Sequence, residues 1–334
     1  MQRIDNPITR LLGIRSSVFG GAMYPCTSKE LVAAVSKAGG MGIIQPLTLE
    51  HVWEQELRES IRWIKDQTDN PFGLNVTLEF SKNEHALQMR KWIDIALEEG
   101  CTFFVTSLGK PHEIVQIVHD RGGHVYHKVV HSKHAATAAD GGVDGLILVN
   151  NRAGGHAGDF SSAQLLEDCT SLGLPMVCAG GISTGEQFVK ALEEGYQGCL
   201  LGTRLIATPE CLSHLDYKDA IINATESDIV YTFKVSGIKL SVINTPFVQK
   251  VGTDISAIER FLFRFPRAQK LLRQYYHKRA LNEFKDSARY GASPRSYLQA
   301  GKGVGEIHEI LPAQVILDQF MESALEAGLT VEVS

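Results

Sequence analysis

No two cysteines stand in a C-x-x-C spacing; Cys26, Cys101, Cys169, Cys178, Cys199 and Cys211 are scattered through 334 residues. Several fall inside apolar runs, where a thiol acts as a small hydrophobe. The pattern argues against a disulfide framework and a structural zinc site, and it predicts a reducing, cytoplasmic setting. Long hydrophobic runs are missing too: none approaches the roughly 18 residues that a membrane helix needs. The opening Met-Gln-Arg-Ile-Asp-Asn-Pro has no apolar signal core. Charge of one sign is not in excess either. A formal net charge of -5 and a pI near 6.2 give no electrostatic reason to expect nucleic acid or an anionic membrane surface as partner. What is left is the composition of an ordinary globular enzyme, 44% hydrophobic and 21% charged. The length suits one (β/α) barrel with an extra subdomain.

Up to about residue 208 one alternation recurs: a short apolar run ends in small or polar residues, and a segment with helical spacing follows. The strand-like runs fall at 18–23, 41–45, 71–78, 101–107, 125–130, 146–149, 175–179 and 198–201. Between them helices are expected at 29–37 behind Ser28, then at 49–65, 84–99, 111–120, 133–140, 162–171 and 184–194. On 49–65, Trp53, Leu57, Ile61 and Ile64 share one face. About eight such units with short connections predict an α/β fold, a closed (β/α)8 TIM barrel. An open doubly wound sheet is the competitor, but Gly20-Gly21 lacks the G-x-G-x-x-G spacing it would carry. The domain reading is a barrel over 1–209, a smaller, mostly helical subdomain over 210–295, and a returning tail over 296–334. The subdomain contains the aromatic runs 261–265 and 274–279 and is expected to lie over the barrel mouth. The tail holds a second glycine-rich loop, 296–305, expected as a lid, and an amphipathic helix, 313–327, expected to pack back on the barrel.

Residues 145–158 organise the chain. An apolar strand breaks into Asn-Asn-Arg-Ala-Gly-Gly-His-Ala-Gly, and so presents His156 from a polar loop whose glycines would let a flat ligand approach. In a barrel, phosphate groups commonly sit at the loops after the last two strands. Here those loops hold Gly180-Gly181 and Gly202-Thr203, whose exposed N–H groups and one hydroxyl would make an anion site. Asn75 and Lys128 interrupt apolar strands; a buried amide needs partners, and an interior lysine needs an anion or an electron-rich ring. Met23 and Ser107 end their strands and are expected to line the pocket. His124, His127, His131 and His134 lack the cysteine or carboxylate that would complete a metal set. Strand parity sets His127 and His131 opposite Lys128, so they read as packing or surface residues, with no metal.

Taken in order, Gly-Gly-Ala-Met at 20–23, Phe-Gly-Leu-Asn at 72–75, His-Lys at 127–128, Ala-Gly-Gly-His-Ala-Gly at 153–158, Ala-Gly-Gly-Ile at 179–182 and Leu-Gly-Thr-Arg-Leu-Ile-Ala-Thr-Pro-Glu at 201–210 resemble the nitronate monooxygenase family, formerly the 2-nitropropane dioxygenases. Flavin-dependent enoyl-ACP reductases share this barrel and many of these motifs. The resemblance implies a non-covalent FMN with its phosphate on Gly180, Gly181, Gly202 and Thr203. Its ring would lie near Ala22, Met23, Asn75, Ser107 and Lys128 and the Ala153-Gly154-Gly155 turn, with His156 over the reacting face as the catalytic residue. It also implies an alkyl nitronate, or a nitroalkane, as substrate and oxygen as partner, giving a carbonyl compound and nitrite. Ala157 stands where relatives vary, and Lys302 stands where a glutamine is common. Two alternatives stay open: an NAD(P)H-dependent FMN reductase of a quinone or enoyl thioester, and a barrel binding a phosphorylated metabolite without redox chemistry. A homodimer is left open as well.

Overall fold

The short apolar runs of the first two-thirds of the chain form strands β2 (Val18–Gly20), β3 (Gly42–Ile44), β4 (Phe72–Thr77), β5 (Phe103–Ser107), β6 (His124–Val129), β7 (Gly145–Val149), β8 (Met176–Ala179) and β9 (Gly198–Leu201), preceded by β1 (Gln2–Ile4). In this computed structural model, which describes residues 2–78, 84–235, 237–256, 259, 261, 265, 280–291 and 297–332, β3 to β9 pair in chain order and all in parallel. β9 then pairs with β2. A parallel bridge from Phe19 to Met41 joins the two ends of the sheet. The chain is a (β/α)8 TIM barrel.

Strand alternation sends every second side chain into the cylinder. Phe19, Phe103 and Tyr126 fill its lower end, with ring centroids 5.2 Å apart for Phe103 and Tyr126 and 5.7 Å for Phe19 and Phe103. A Cβ at Gly145 would lie 2.4 Å from the Tyr126 ring, so the large side chain on β6 requires the missing one on β7. With the bottom plugged, the open space is at the carboxyl ends of the strands.

The helices form where the spacing placed them, with one exception. Ser28 caps Lys29–Lys37 by accepting from the Leu31 N–H at 3.2 Å. The span 49–65, expected as one helix, is two: Pro46–His51 and Leu57–Gln67. Between them Glu54 adopts φ 56, and the Trp53 indole, packed against the same core, donates to the Thr27 carbonyl at 3.1 Å. Leu57, Ile61 and Ile64 keep the buried face; Trp53 belongs to the break.

Beyond residue 209 the chain carries the helix Leu215–Ile222, a two-stranded antiparallel hairpin of β10 (Ile229–Thr232) and β11 (Leu240–Ile243), the helix Pro246–Val251, and a helix over 280–290. Helical spacing alone had no place for the hairpin. Its signal was the β-branched content of Ile-Val-Tyr-Thr and Leu-Ser-Val-Ile. Residues 262–264, 274–279 and 292–296, which complete the aromatic runs and begin the second glycine loop, lie outside the described residues. The helix Ala313–Glu326 returns to the barrel, its Phe320 against Phe188 at 5.5 Å, and β12 (Thr330–Glu332) pairs antiparallel with β1.

Candidate active site

Above the aromatic plug the strands open into a cavity of about 990 Å³. Inward positions at the ends of β4, β5 and β6 bring Asn75, Ser107 and Lys128 to its wall, with Ser107 and Lys128 in register. Lys128 Nζ donates to Asn75 Oδ1 at 3.4 Å. Burial pulls the lysine down to about 8, because a charged ammonium loses hydration there. Ala22 and Met23, beyond β2, form the adjoining wall.

The loop after β7 brings Ala153, Gly154, Gly155 and His156 to the same cavity, with His156 exposed to it. The loop is pinned from outside the barrel. Ser241 of β11 donates its N–H to the Gly155 carbonyl at 2.7 Å, and Tyr231 donates its hydroxyl to the Asn151 carbonyl at 2.6 Å. Lys239 reaches the Gly158 carbonyl at 3.2 Å and pairs with Asp159 at 2.6 Å. Two of its glycines are packing positions: a Cβ at Gly158 would meet the Val149 carbonyl at 2.4 Å, and one at Gly154 would meet the Gly301 nitrogen at 2.8 Å. Gly155, with φ 68, also lines the cavity, and a Cβ there would meet only the Gln299 side-chain oxygen, at 2.9 Å.

The loops after β8 and β9 supply Gly180, Gly181, Gly202 and Thr203, all on the cavity. Gly180 has φ 119, and a Cβ there would lie 2.3 Å from Asn150 Oδ1. Gly181 has φ 77, with Arg152 Nε 2.7 Å from its missing Cβ. At Gly202 a Cβ would find only Met23 Sδ, at 3.6 Å, and would otherwise project into the cavity. Thr203 Oγ1 accepts from the Gly301 N–H at 2.9 Å, which leaves the hydroxyl proton for another acceptor. The result is a cradle of backbone and one hydroxyl, of the kind that receives an anion.

Of the other histidines, His127, His131 and His134 also line the cavity; His127 is buried, with Nδ1 2.8 Å from Thr106 Oγ1, and burial, and then His134, pull it down to about 4. His131 caps Ser132–Asp140 by accepting from the Lys133 N–H at 3.1 Å. Among the described residues no group of three or more His, Cys, Asp or Glu side chains could hold a metal ion.

Several cavity residues had escaped the sequence reading. Tyr24 hydroxyl lies 2.7 Å from His51 Nδ1 and donates to the Leu281 carbonyl at 2.8 Å. Gln299 donates from Nε2 to the Tyr24 carbonyl at 3.2 Å, and Tyr217 donates to the Gln299 carbonyl at 2.7 Å. Gly301 and Gly303 of the tail complete the wall. Arg152 holds Glu226 with two bonds of 2.8 and 2.7 Å at the rim, and Lys302 lies 3.7 Å from the same carboxylate.

The family model described as nitronate monooxygenase matches residues 5–323. Among curated relatives, a (3aS,4S,5R,7aS)-5-hydroxy-7a-methyl-1-oxo-octahydro-1H-indene-4-carboxyl-CoA dehydrogenase of Mycobacterium tuberculosis is 28% identical over 253 residues, covering 75% of this chain and 69% of the relative. A probable nitronate monooxygenase of Staphylococcus saprophyticus is 24% identical over 292 residues, covering 75% and 81%. FabK from Thermotoga maritima superposes with a TM-score of 0.80 at 26% identity over 97% of both chains. A nitroalkane oxidase from Streptomyces ansochromogenes does so with 0.77 at 20% identity, covering 97% of this chain and 99% of that one, a likeness of fold alone.

Proposed function

The chain belongs to the nitronate monooxygenase family, and from that premise we propose that this oxidoreductase binds FMN and oxidises alkyl nitronates with oxygen to a carbonyl compound and nitrite. The observation that carries the reading is the meeting, in one cavity, of a glycine cradle with an imidazole and a lysine. Gly180, Gly181, Gly202 and Thr203 would hold the phosphate. Ala22, Met23, Asn75, Ser107, Lys128 and the Ala153-Gly154-Gly155 turn would border the ring. FMN, when bound, supplies the electron-accepting chemistry that no side chain here can provide.

The protein's own part is orientation and charge. His156 would hold the nitronate oxygens through a ring N–H, or take the α-proton where a neutral nitroalkane is used. Lys128, cationic below about pH 8, would offset negative charge on the ring or substrate. A cytoplasmic, reducing setting belongs to the same reading, supported by the six buried free thiols. Among the described residues no helix is long and apolar enough to cross a membrane.

The test is a spectrum and a titration. Purified protein is expected to absorb at roughly 450 nm as flavoproteins do, and propyl-2-nitronate added without oxygen is expected to bleach it. Flavin bleached by NADH but untouched by nitronate would overturn the proposal. That outcome would favour the second reading, an NAD(P)H-dependent reductase of a quinone or enoyl thioester. One finding supports it: the CoA-thioester dehydrogenase relative is more similar, at 28%, than the 24% nitronate monooxygenase relative. A protein without flavin absorbance would point to the third, non-redox reading.

A further inference from the structure

Two of the six free thiols lie together although 185 residues separate them in the chain. Cys26 closes the turn after β2, its N–H donating to the Met23 carbonyl at 3.0 Å, and it lines the cavity. Cys211 stands at the start of the segment 210–295, its N–H donating to Thr208 Oγ1 at 3.2 Å. Both are buried. The Cys211 sulfur lies 3.4 Å from the Cys26 carbonyl and 3.5 Å from Ser213 Oγ, and the two thiols are hydrogen-bonded to each other.

A buried lysine adjoins them. Lys218 is 5% exposed and donates to the Thr208 carbonyl at 2.7 Å. Among the described residues no carboxylate pairs with it, and the residues of 257–296 outside that description contain no aspartate or glutamate. A buried ammonium without a carboxylate favours another anion beside it, and Cys211 can supply one as its thiolate. The hydrogen bond from the Cys26 thiol, those from the Ser213 hydroxyl and backbone N–H, and the Lys218 charge hold Cys211 below the ordinary thiol range, against the effect of burial. The S–H bond to a carbonyl that ionisation gives up is a weak one. Cys26 is pushed up, by burial first and then by Cys211, and so keeps its proton. The pair is thus one nucleophile and one thiol placed to resolve it.

Cys178 and Cys199 make the contrast. They also sit side by side, in register on β8 and β9. Burial pushes both up, and neither lines the cavity. A small oxidant entering the cavity meets the first pair and not the second.

We propose that Cys26 and Cys211 are a reactive dithiol in the cavity wall, which hydrogen peroxide converts reversibly to a disulfide. The Cys211 sulfur attacks one peroxide oxygen, the O–O bond breaks, and hydroxide leaves to take up the proton that Cys211 had lost. The sulfenic acid so formed is attacked by the Cys26 sulfur; the S–S bond forms, and the hydroxyl departs as water with the Cys26 proton. Two thiols lose two electrons, and one peroxide becomes two waters. The bond ties the turn that carries Met23 to the start of the segment 210–295. In a reducing setting such a disulfide is transient, as in redox-sensing proteins. The proposal stands apart from the nitronate reading.

The experiment counts thiols. The protein as purified is treated with equimolar hydrogen peroxide, then unfolded in an alkylating agent and digested. The count is expected to fall by two from six, with a peptide joining Cys26 to Cys211, and dithiothreitol is expected to restore it. An unchanged count, a loss that falls on Cys178 and Cys199, or a cross-link between molecules overturns the proposal. Two serine variants test the order of events. Cys26→Ser is expected to leave a sulfenic acid at Cys211 that dimedone captures, and Cys211→Ser to leave Cys26 unmodified at the same dose. Capture at Cys26 in place of Cys211 overturns the assignment of the nucleophile. Lys218→Gln keeps a donor for the Thr208 carbonyl but removes the charge, and is expected to slow thiol loss several-fold. An unchanged rate overturns the role given to that charge.

Discussion

Around Gly180, Gly181 and Gly202 the cavity is walled by backbone, from loops next to the strands that position them. Around Leu281 and Phe284 it is walled by side chains from a segment far along the chain. The first end admits no side chain at Gly180 or Gly181, because Asn150 and Arg152 already fill the space. That intolerance writes a glycine pattern into the sequence. The second end is lined by side chains such as Leu281 and Phe284 and leaves no comparable glycine pattern.

The sharpest way to break this contrast lies at the histidine between the two ends. His156→Ala is expected to lower kcat/KM by about 10²–10⁴-fold, the usual range for a positioned acid–base group, while flavin absorbance is retained. Oxygen uptake and the visible spectrum check it; joint loss of both would make His156 part of the cradle. Next in size is Gly180→Val. Forcing a β-branched residue to φ 119 costs about 1–3 kcal/mol in backbone strain. The added atoms also strike Asn150, so flavin content is expected to collapse with thermal stability. Dialysis of the variant against buffer, followed by flavin quantification, reads this directly.

A smaller effect is expected from Lys128. Its ammonium titrates at about 8 in the folded chain, against the ordinary 10.5. Between these values the unfolded chain binds more protons, so stability of the flavin-free protein rises with pH across that window. Below pH 8 the burial penalty is fully present, and by 10.5 it is relieved. Activity runs the other way, falling several-fold as the charge is lost above pH 8. Lys128→Met should remove both the alkaline limb of the rate profile and the stability gain seen by denaturation. Smallest is Glu226→Gln at the rim. The Arg152 contact it weakens is half-exposed, so the loss should stay under about 1 kcal/mol, a shift of a few degrees at most in a melting curve.

What could be read from sequence follows the same division. Barrel strands, helix starts such as Ser28, and the glycine turns after β8 and β9 are local, and each carries its own signature within a few residues. Contacts between distant segments carry none. Nothing near Tyr24 announces His51 or Leu281, and nothing in 153–158 announces that Ser241 will pair with Gly155. The hairpin of β10 and β11 was hidden because strands of four residues are shorter than a helical period can exclude. The break at Glu54 was hidden because the apolar period continues through Trp53, whose partner is the remote Thr27 carbonyl. The glycines at 154 and 158 were visible as glycines, but their neighbours, Gly301 and Val149, were not.

The contact of Gly154 with Gly301 has a consequence in time as well as space. A ribosome releases residues 300–303 only after the barrel strands and the hairpin have emerged, yet those residues form the rear panel of the seat beneath Thr203. A chain cut before them would hold a cylinder with an unfinished back, so the seat is complete only when a segment 98 residues beyond Thr203 has folded onto it.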